Sequence, residues 1–479
     1  MPCAPRPPSV VKLHSQILRI QALGGLIMST SVRLCVRLAG LFVGVAVTGA
    51  VAAQVAPPAP SAANGTFADR TGVWGNFPST RPDTSNPFFK PLGSNARTCA
   101  TCHNPNDGWS VSLGNLSKRF TSTAGLDPIF LSLDGTNCPS LPLDTLAHRQ
   151  IASSLLLGRG LIRVELAVPV NADYTVASVS NPYGCSSTTA VSVYRRILPT
   201  TNLPFLTEVM WDGRETLASG ALTSALVNQA NDAVHGHAAG VVPASTSAIG
   251  SAVGLELLQY TAQIFDNAAG ALNGSGASGG LQALAATHSV AAASGAPVFT
   301  LFQAWEAIVA PVTPSAVAQA SIGRGERIFN TRPISIAGVA GFNDVPGADG
   351  NVHPVVVGTC GTCHNTVNVG THATPFLVDE GQAHLTVKNV DLPLITLVQR
   401  STGTRVQVTD PGAALISGRF ADVGKFKVPG LRGFAAHAPY FHNGAAKSAA
   451  DVVTFYNTRF NLNLSTQEAT DLANFLNAL

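Results

Sequence analysis

Cys99-Ala100-Thr101-Cys102-His103 and Cys360-Gly361-Thr362-Cys363-His364 are the two stretches on which the reading of this chain turns. Each has the form C-x-x-C-H, the attachment signature of a c-type haem. Two cysteines one helical turn apart can form thioethers to both vinyl groups of one porphyrin, and the adjoining histidine then reaches the iron. A bare C-x-x-C also suits a redox dithiol or half of a zinc site. Here both copies carry the histidine, and neither has a second C-x-x-C near enough to complete a four-thiolate site. The reading predicts two covalently bound haem c groups, attached at Cys99, Cys102, Cys360 and Cys363, with His103 and His364 as iron ligands.

Such haems are attached outside the bacterial cytoplasm, so the motifs predict an export signal. From Met28 the chain shows a basic stretch (Arg33, Arg37), an apolar run from Leu38 to Val47, and the small residues Ala50-Val51-Ala52-Ala53 before Gln54. Cleavage near Ala52 or Ala53 and a periplasmic location are the expectations. The Pro-rich residues before Met28 read as an over-extended translation start or a long basic region. The apolar run is shorter than the roughly 20 residues a membrane span needs, and no membrane span is expected in the mature form.

Net charge is +3, but residues 1–53 hold five Lys and Arg and no acid, which leaves 24 bases against 26 acids and a net −2 beyond them. No basic patch argues for nucleic acid. Of eight cysteines, four lie in the motifs and two (Cys3, Cys35) in the leader, so Cys138 and Cys185 remain. In an oxidising compartment that even remainder predicts a disulfide.

The 45 glycines and 31 prolines suggest many loops around a helical core. The mature length exceeds a comfortable single core, and the motifs fall one in each half. The division expected is a leader over 1–53, a linker over 54–66, and haem domains over 67–312 and 313–479. Pro311-Val312-Thr313-Pro314 marks the boundary, followed by a helix over about 315–330. Ser465-Thr466-Gln467-Glu468 is a capping box. Leu472, Phe475, Leu476 and Leu479 then recur with helical period. Short β-rich runs stand at Val164–Val170, Tyr174–Val179 and Ala190–Tyr194, and the Gly/Ser-rich residues 269–280 read as too poor in apolar groups to order themselves. The fold class expected is mainly α: two cytochrome c-like haem domains with long loops and a few short β-strands.

Three further stretches resemble the bacterial di-haem cytochrome c peroxidase superfamily, which includes MauG-type and rubber-oxygenase-type enzymes. They are Trp211-Asp212-Gly213-Arg214, the run from Arg324 to Phe329, and Phe426-Lys427-Val428-Pro429-Gly430-Leu431-Arg432-Gly433 leading into Ala438-Pro439-Tyr440-Phe441-His442-Asn443-Gly444. The resemblance spans about residues 95–479. It implies that peroxide reacts at the haem held by His103 and that the haem held by His364 transfers electrons. It implies a small oxidant, hydrogen peroxide or O2, and a small donor protein such as a cytochrome c or cupredoxin. It also implies a calcium ion on the backbone of His437 and Pro439.

The family's usual methionine ligand of the second haem falls at Tyr456, and no methionine follows Met210. Tyr456 is the expected ligand, with His372, His437 and His442 as alternatives. The family's acid-base glutamate, in an L-E-E-Q-A-like run, matches Leu226-Val227-Asn228-Gln229-Ala230 and places Val227 at the carboxylate. Glu208, Glu215, His235 and His237 are substitutes, and Trp211 or Trp109 would bridge the haems. Three readings follow: a peroxidase-like oxidoreductase, a dioxygenase cleaving an apolar substrate, and a non-catalytic electron carrier.

Overall fold

The long helix after the boundary shows how this chain builds its core. It runs Pro314–Thr331, with Pro at its start, where the missing N–H costs nothing, and with the Thr313 hydroxyl accepting from the Ala316 N–H at 3.2 Å. Gly325 sits where a Cβ would stand 2.0 Å from the Asp471 carbonyl, so only glycine lets the C-terminal helix Thr466–Asn477 cross this close. Arg324 clasps the Asp471 carboxylate at 2.7 and 2.8 Å beside that crossing. Leu472, Phe475, Leu476 and Leu479 are all buried against this helix and its surroundings, and both halves of the Ser465/Glu468 capping box are formed.

This computed structural model describes residues 65–79, 82–216, 221–384 and 389–479. The export signal, its cleavage site and most of the 54–66 stretch lie outside the described residues. The described residues fold as one compact unit. No helix among the described residues is long and apolar enough to cross a membrane.

The fold class departs from the expectation. The described residues hold eleven helices and five small sheets, with 32% helical and 18% strand residues, and this is not a mainly α pair of cytochrome c-like domains. Strands Leu161–Ala167 and Ala190–Arg196 pair antiparallel over seven residues. Strand Tyr174–Ser180 pairs with Leu394–Gln399, which in turn pairs with Arg405–Val408, so one sheet draws on both halves of the chain. These runs are rich in Val, Ile and Thr, which suit a half-buried pleated surface. Two of these runs pair with each other, but the partner of Tyr174–Ser180 lies more than two hundred residues away, where no local reading finds it.

The 269–280 stretch also departs from expectation. Ala269, Leu272 and Ala277 are buried in the cluster around Phe302 and Trp305, and the Trp305 indole N–H donates to the Gly274 carbonyl at 3.2 Å. Its few apolar residues suffice because neighbouring aromatics supply the rest of the core. Cys138 and Cys185 form a disulfide with Cα atoms 5.7 Å apart.

A buried ion cluster ties distant segments together. Arg195 donates through Nε and Nη2 to Asp410 at 2.7 and 2.9 Å and through Nη1 to Asp212 of the W-D-G-R run. Burial alone would neutralise both acids, yet the Arg195 charge holds each below the usual carboxylate range.

Candidate haem sites

Both C-x-x-C-H runs fold alike. Cys99–Thr101 and Cys360–Thr362 are single 3₁₀ turns, and the hydroxyls of Thr101 and Thr362 accept from the N–H of Thr98 and Thr359 at 3.0 and 2.9 Å. Each histidine is then fixed by the carbonyl six residues on: His103 Nδ1 lies 3.3 Å from Trp109 O, and His364 Nδ1 lies 2.6 Å from Gly370 O. An imidazole held through Nδ1 presents Nε2 to a metal. Burial pushes both rings down to about 4, so both are neutral, the form that ligates.

His103 opens onto two adjoining cavities of about 200 and 140 Å³, and His364 onto one of about 90 Å³. Cys99 and Cys102 line the second cavity; Cys360 and Cys363 line the third. All four thiols are unbonded, and burial raises them, to about 12 for Cys99, Cys102 and Cys360. Such thiols are poor redox dithiols. Among the described residues no three His, Cys, Asp or Glu side chains gather to hold a metal ion, which disfavours a zinc site.

The donor set fits the haem expectation. The walls are mainly apolar, and Arg196, buried between the two His103 cavities, donates among the described residues only to the carbonyls of Arg159, Gly160, Val111 and His437, with no carboxylate of these residues within salt-bridge range. A buried guanidinium without an anion calls for one, and a porphyrin brings two propionates. In the third cavity, Tyr456 donates to Glu380 at 2.8 Å, and Glu380 also accepts from Gln382 at 2.8 Å. Burial first, then the Glu380 carboxylate, holds the Tyr456 phenol well above its ordinary value. Of the four groups considered as sixth ligand of the His364 iron, Tyr456 alone lines this cavity.

The three histidines are engaged elsewhere. His442 stacks on Phe426 with centroids 3.9 Å apart, and His372 stacks on Phe376 at 4.3 Å. His437 packs on Gly108, where a Cβ would come within 2.7 Å of its Nε2, and that nitrogen lies 2.8 Å from the Gly108 carbonyl. Its own carbonyl faces the Arg196 guanidinium at 3.4 Å, so a calcium ion held by His437 and Pro439 would meet a fixed positive charge.

The distal candidates scatter. Glu208 is buried, raised to about 7 by burial, and accepts from the Thr207 hydroxyl at 2.6 Å and from the Phe376 N–H, outside all three cavities. Glu215, raised by burial and by Asp232, also lies outside them. His235 is exposed, near the Gly240 carbonyl. His237 lines the second cavity with Nδ1 2.6 Å from Asp134. Trp211 lines both His103 cavities and donates to the Arg196 carbonyl at 2.8 Å, whereas Trp109 lines none and packs edge-on to Phe88. Neither tryptophan reaches the third cavity; Phe434, stacked on Tyr440 at 4.0 Å, lines both the first and the third.

Val227 faces away from the chamber. It packs in the cluster of Leu203, Val209 and Val253, while Leu226, Gln229, Ala230 and Ala233 turn toward His103. Two functional candidates escaped the sequence reading: Glu380, which has no pattern to betray it, and Glu256. Glu256 falls at the i+7 place of the stripe Ile249, Ala252, Val253 on the helix Thr246–Leu257, and a carboxyl in an apolar stripe is a readable signal. In comparison with known proteins, no family model matches the chain and no curated protein matches it.

Proposed function

We propose that this chain is an exported c-type di-haem oxidoreductase of the peroxidase kind, working in the periplasm. A small oxidant, hydrogen peroxide foremost, is met in the His103 chamber, and electrons arrive by way of the His364 site from a small donor protein such as a cytochrome c or cupredoxin. The observation that carries this reading is the pair of C-x-x-C-H turns with identical histidine anchoring, each opening onto an apolar cavity. Bound haem would supply redox iron at both places. Arg196 would neutralise a propionate, Tyr456 would close the second site, and the larger room beside His103 leaves space for a reactant. Phe434, which lines both the first His103 cavity and the His364 cavity, lies in the wall between the two.

Protein matured in a host competent for haem attachment tests this. Intact mass should show two haem adducts, and mixing with peroxide should change the Soret spectrum in at least one starting redox state. Fewer than two adducts, or no change in any state, refutes the proposal.

A second reading has its own support: Leu203, Leu206, Val209, Met210, Leu226 and Ile197 form an apolar stretch of the first cavity's wall. A dioxygenase acting on an apolar substrate would use such a chamber. Oxygen uptake on adding an unsaturated hydrocarbon, without peroxide, would favour it.

A further inference from the structure

With Val227 turned away, the helix Leu222–Gly236 offers the His103 chamber a leucine, a glutamine and alanines but no carboxyl. The neighbouring helix supplies one. Glu256 is 5% exposed and lines both cavities that His103 lines. No hydrogen-bond donor or salt-bridge partner reaches its carboxyl among the described residues. An unbonded carboxyl in an apolar wall is costly to ionise and costly to retain without a purpose. Burial alone raises it to about 8, with no opposing contribution, so it keeps its proton at neutral pH.

We propose that Glu256 is the proton-handling residue of the His103 chamber. This rests on the peroxidase-like reading above and deepens it. Reduction of hydrogen peroxide takes two electrons and two protons and gives two waters. The O–O bond breaks, and the departing oxygen must receive a proton to leave as water. Glu256 moves that proton: it delivers the one it holds to the far oxygen and takes up the one the near oxygen loses, which returns it to its protonated form. The electrons come from the iron pair and its donor protein, and the net protons from solvent. A carboxyl whose affinity for protons lies near neutrality can do both. Gln229 on the facing helix lines the same two cavities and stands two residues after the missing carboxylate position.

The holoprotein variant Glu256→Gln provides the test, because it replaces a neutral acid by a neutral amide of the same shape. Haem adducts and carbon monoxide binding should be unchanged, while the peroxide-driven spectral change should slow by about 100-fold or more. A readout independent of turnover accompanies it: the wild-type minus variant infrared difference near neutral pH should contain a protonated-carboxyl C=O band. A variant with two adducts, intact carbon monoxide binding and a wild-type peroxide rate would overturn the role of Glu256 and leave the peroxidase-like reading standing. A wild-type protein inert to peroxide would overturn that reading and this role with it. Should the glutamine variant fail to mature, Glu256→Asp carries the test: withdrawing the carboxyl by one methylene should cost about tenfold or more in rate, and an unaltered rate would refute the proposal.

Discussion

The surroundings of His103 and of His364 start from the same local structure and end in opposite arrangements. Both turns carry the same threonine pair, the same cysteine spacing and a histidine fixed to the carbonyl six residues on. Opposite His103 stand two cavities, together larger than the one at His364, whose walls include Trp211, Gln229, Arg196 bonded to carbonyls without a carboxylate among the described residues, and Glu256 with no hydrogen-bond partner among them. Opposite His364 a phenol is already bonded to a carboxylate, and Phe329, Ile334, Leu472 and Leu476 close the space. The motif fixes where an iron would be held; residues far along the chain decide whether anything else can approach it.

The strongest way to break this contrast is to remove one site at a time. The double variant Cys99→Ser, Cys102→Ser should lose one adduct together with all response of the Soret band to carbon monoxide and peroxide. Cys360→Ser, Cys363→Ser should lose one adduct and keep the carbon monoxide response. Mass spectrometry and difference spectra check both, and the reverse pattern would assign the open chamber to the wrong half.

Next comes the ion cluster beside the His103 chamber. Arg195→Met leaves Asp410 buried without its cation and Asp212 with Arg214 alone, and breaking a buried pair in this way costs about 3–5 kcal/mol. Urea unfolding should register that loss, and a loss under about 1 kcal/mol would show the cluster to be far more solvated than its burial implies. A smaller, spectroscopic effect belongs to the closed site. Tyr456→Phe removes the only oxygen of that side chain, so carbon monoxide should perturb both haems in the variant and one in the wild type.

How much of this was legible in the chain depends on how local each feature is. The two C-x-x-C-H turns, the C-terminal capping box and the helix opening at Pro314 are encoded within a few residues, and the chain could be read directly there. The sheet joining Tyr174–Ser180 to Leu394–Gln399 was not legible, because its apolar alternation has meaning only beside a strand two hundred residues distant. The acid-base residue was not legible for a different reason. The resemblance of Leu226–Ala230 to the family's run bears on the order of residues, whereas the face of the helix that meets the chamber is set by packing on the helix behind it. Glu256 was visible as a carboxyl within an apolar stripe, but nothing in the sequence showed that its stripe borders His103.

The smallest effect separates the two carboxyls by sign. Glu256 has an ordinary value of 4.5 and is raised by burial to about 8. Between those values the unfolded chain has released the proton and the folded chain retains it, so the folded state binds more protons and its stability falls as pH rises through the window. Glu256→Gln carries no such proton. Its melting temperature should match the wild type near the acid end of the window and exceed it increasingly toward the alkaline end, then hold a constant margin. Glu380 is different because its carboxylate is already satisfied by the Tyr456 hydroxyl and the Gln382 amide. Glu380→Gln trades a charged acceptor for a neutral one that must also place an N–H₂ group in the same pocket, and it should lower stability by about 1 kcal/mol at neutral pH. Scanning calorimetry of the two variants across that pH window reads both signs. Equal behaviour would mean that the two chambers treat a carboxyl alike, and the contrast between them would be one of size alone.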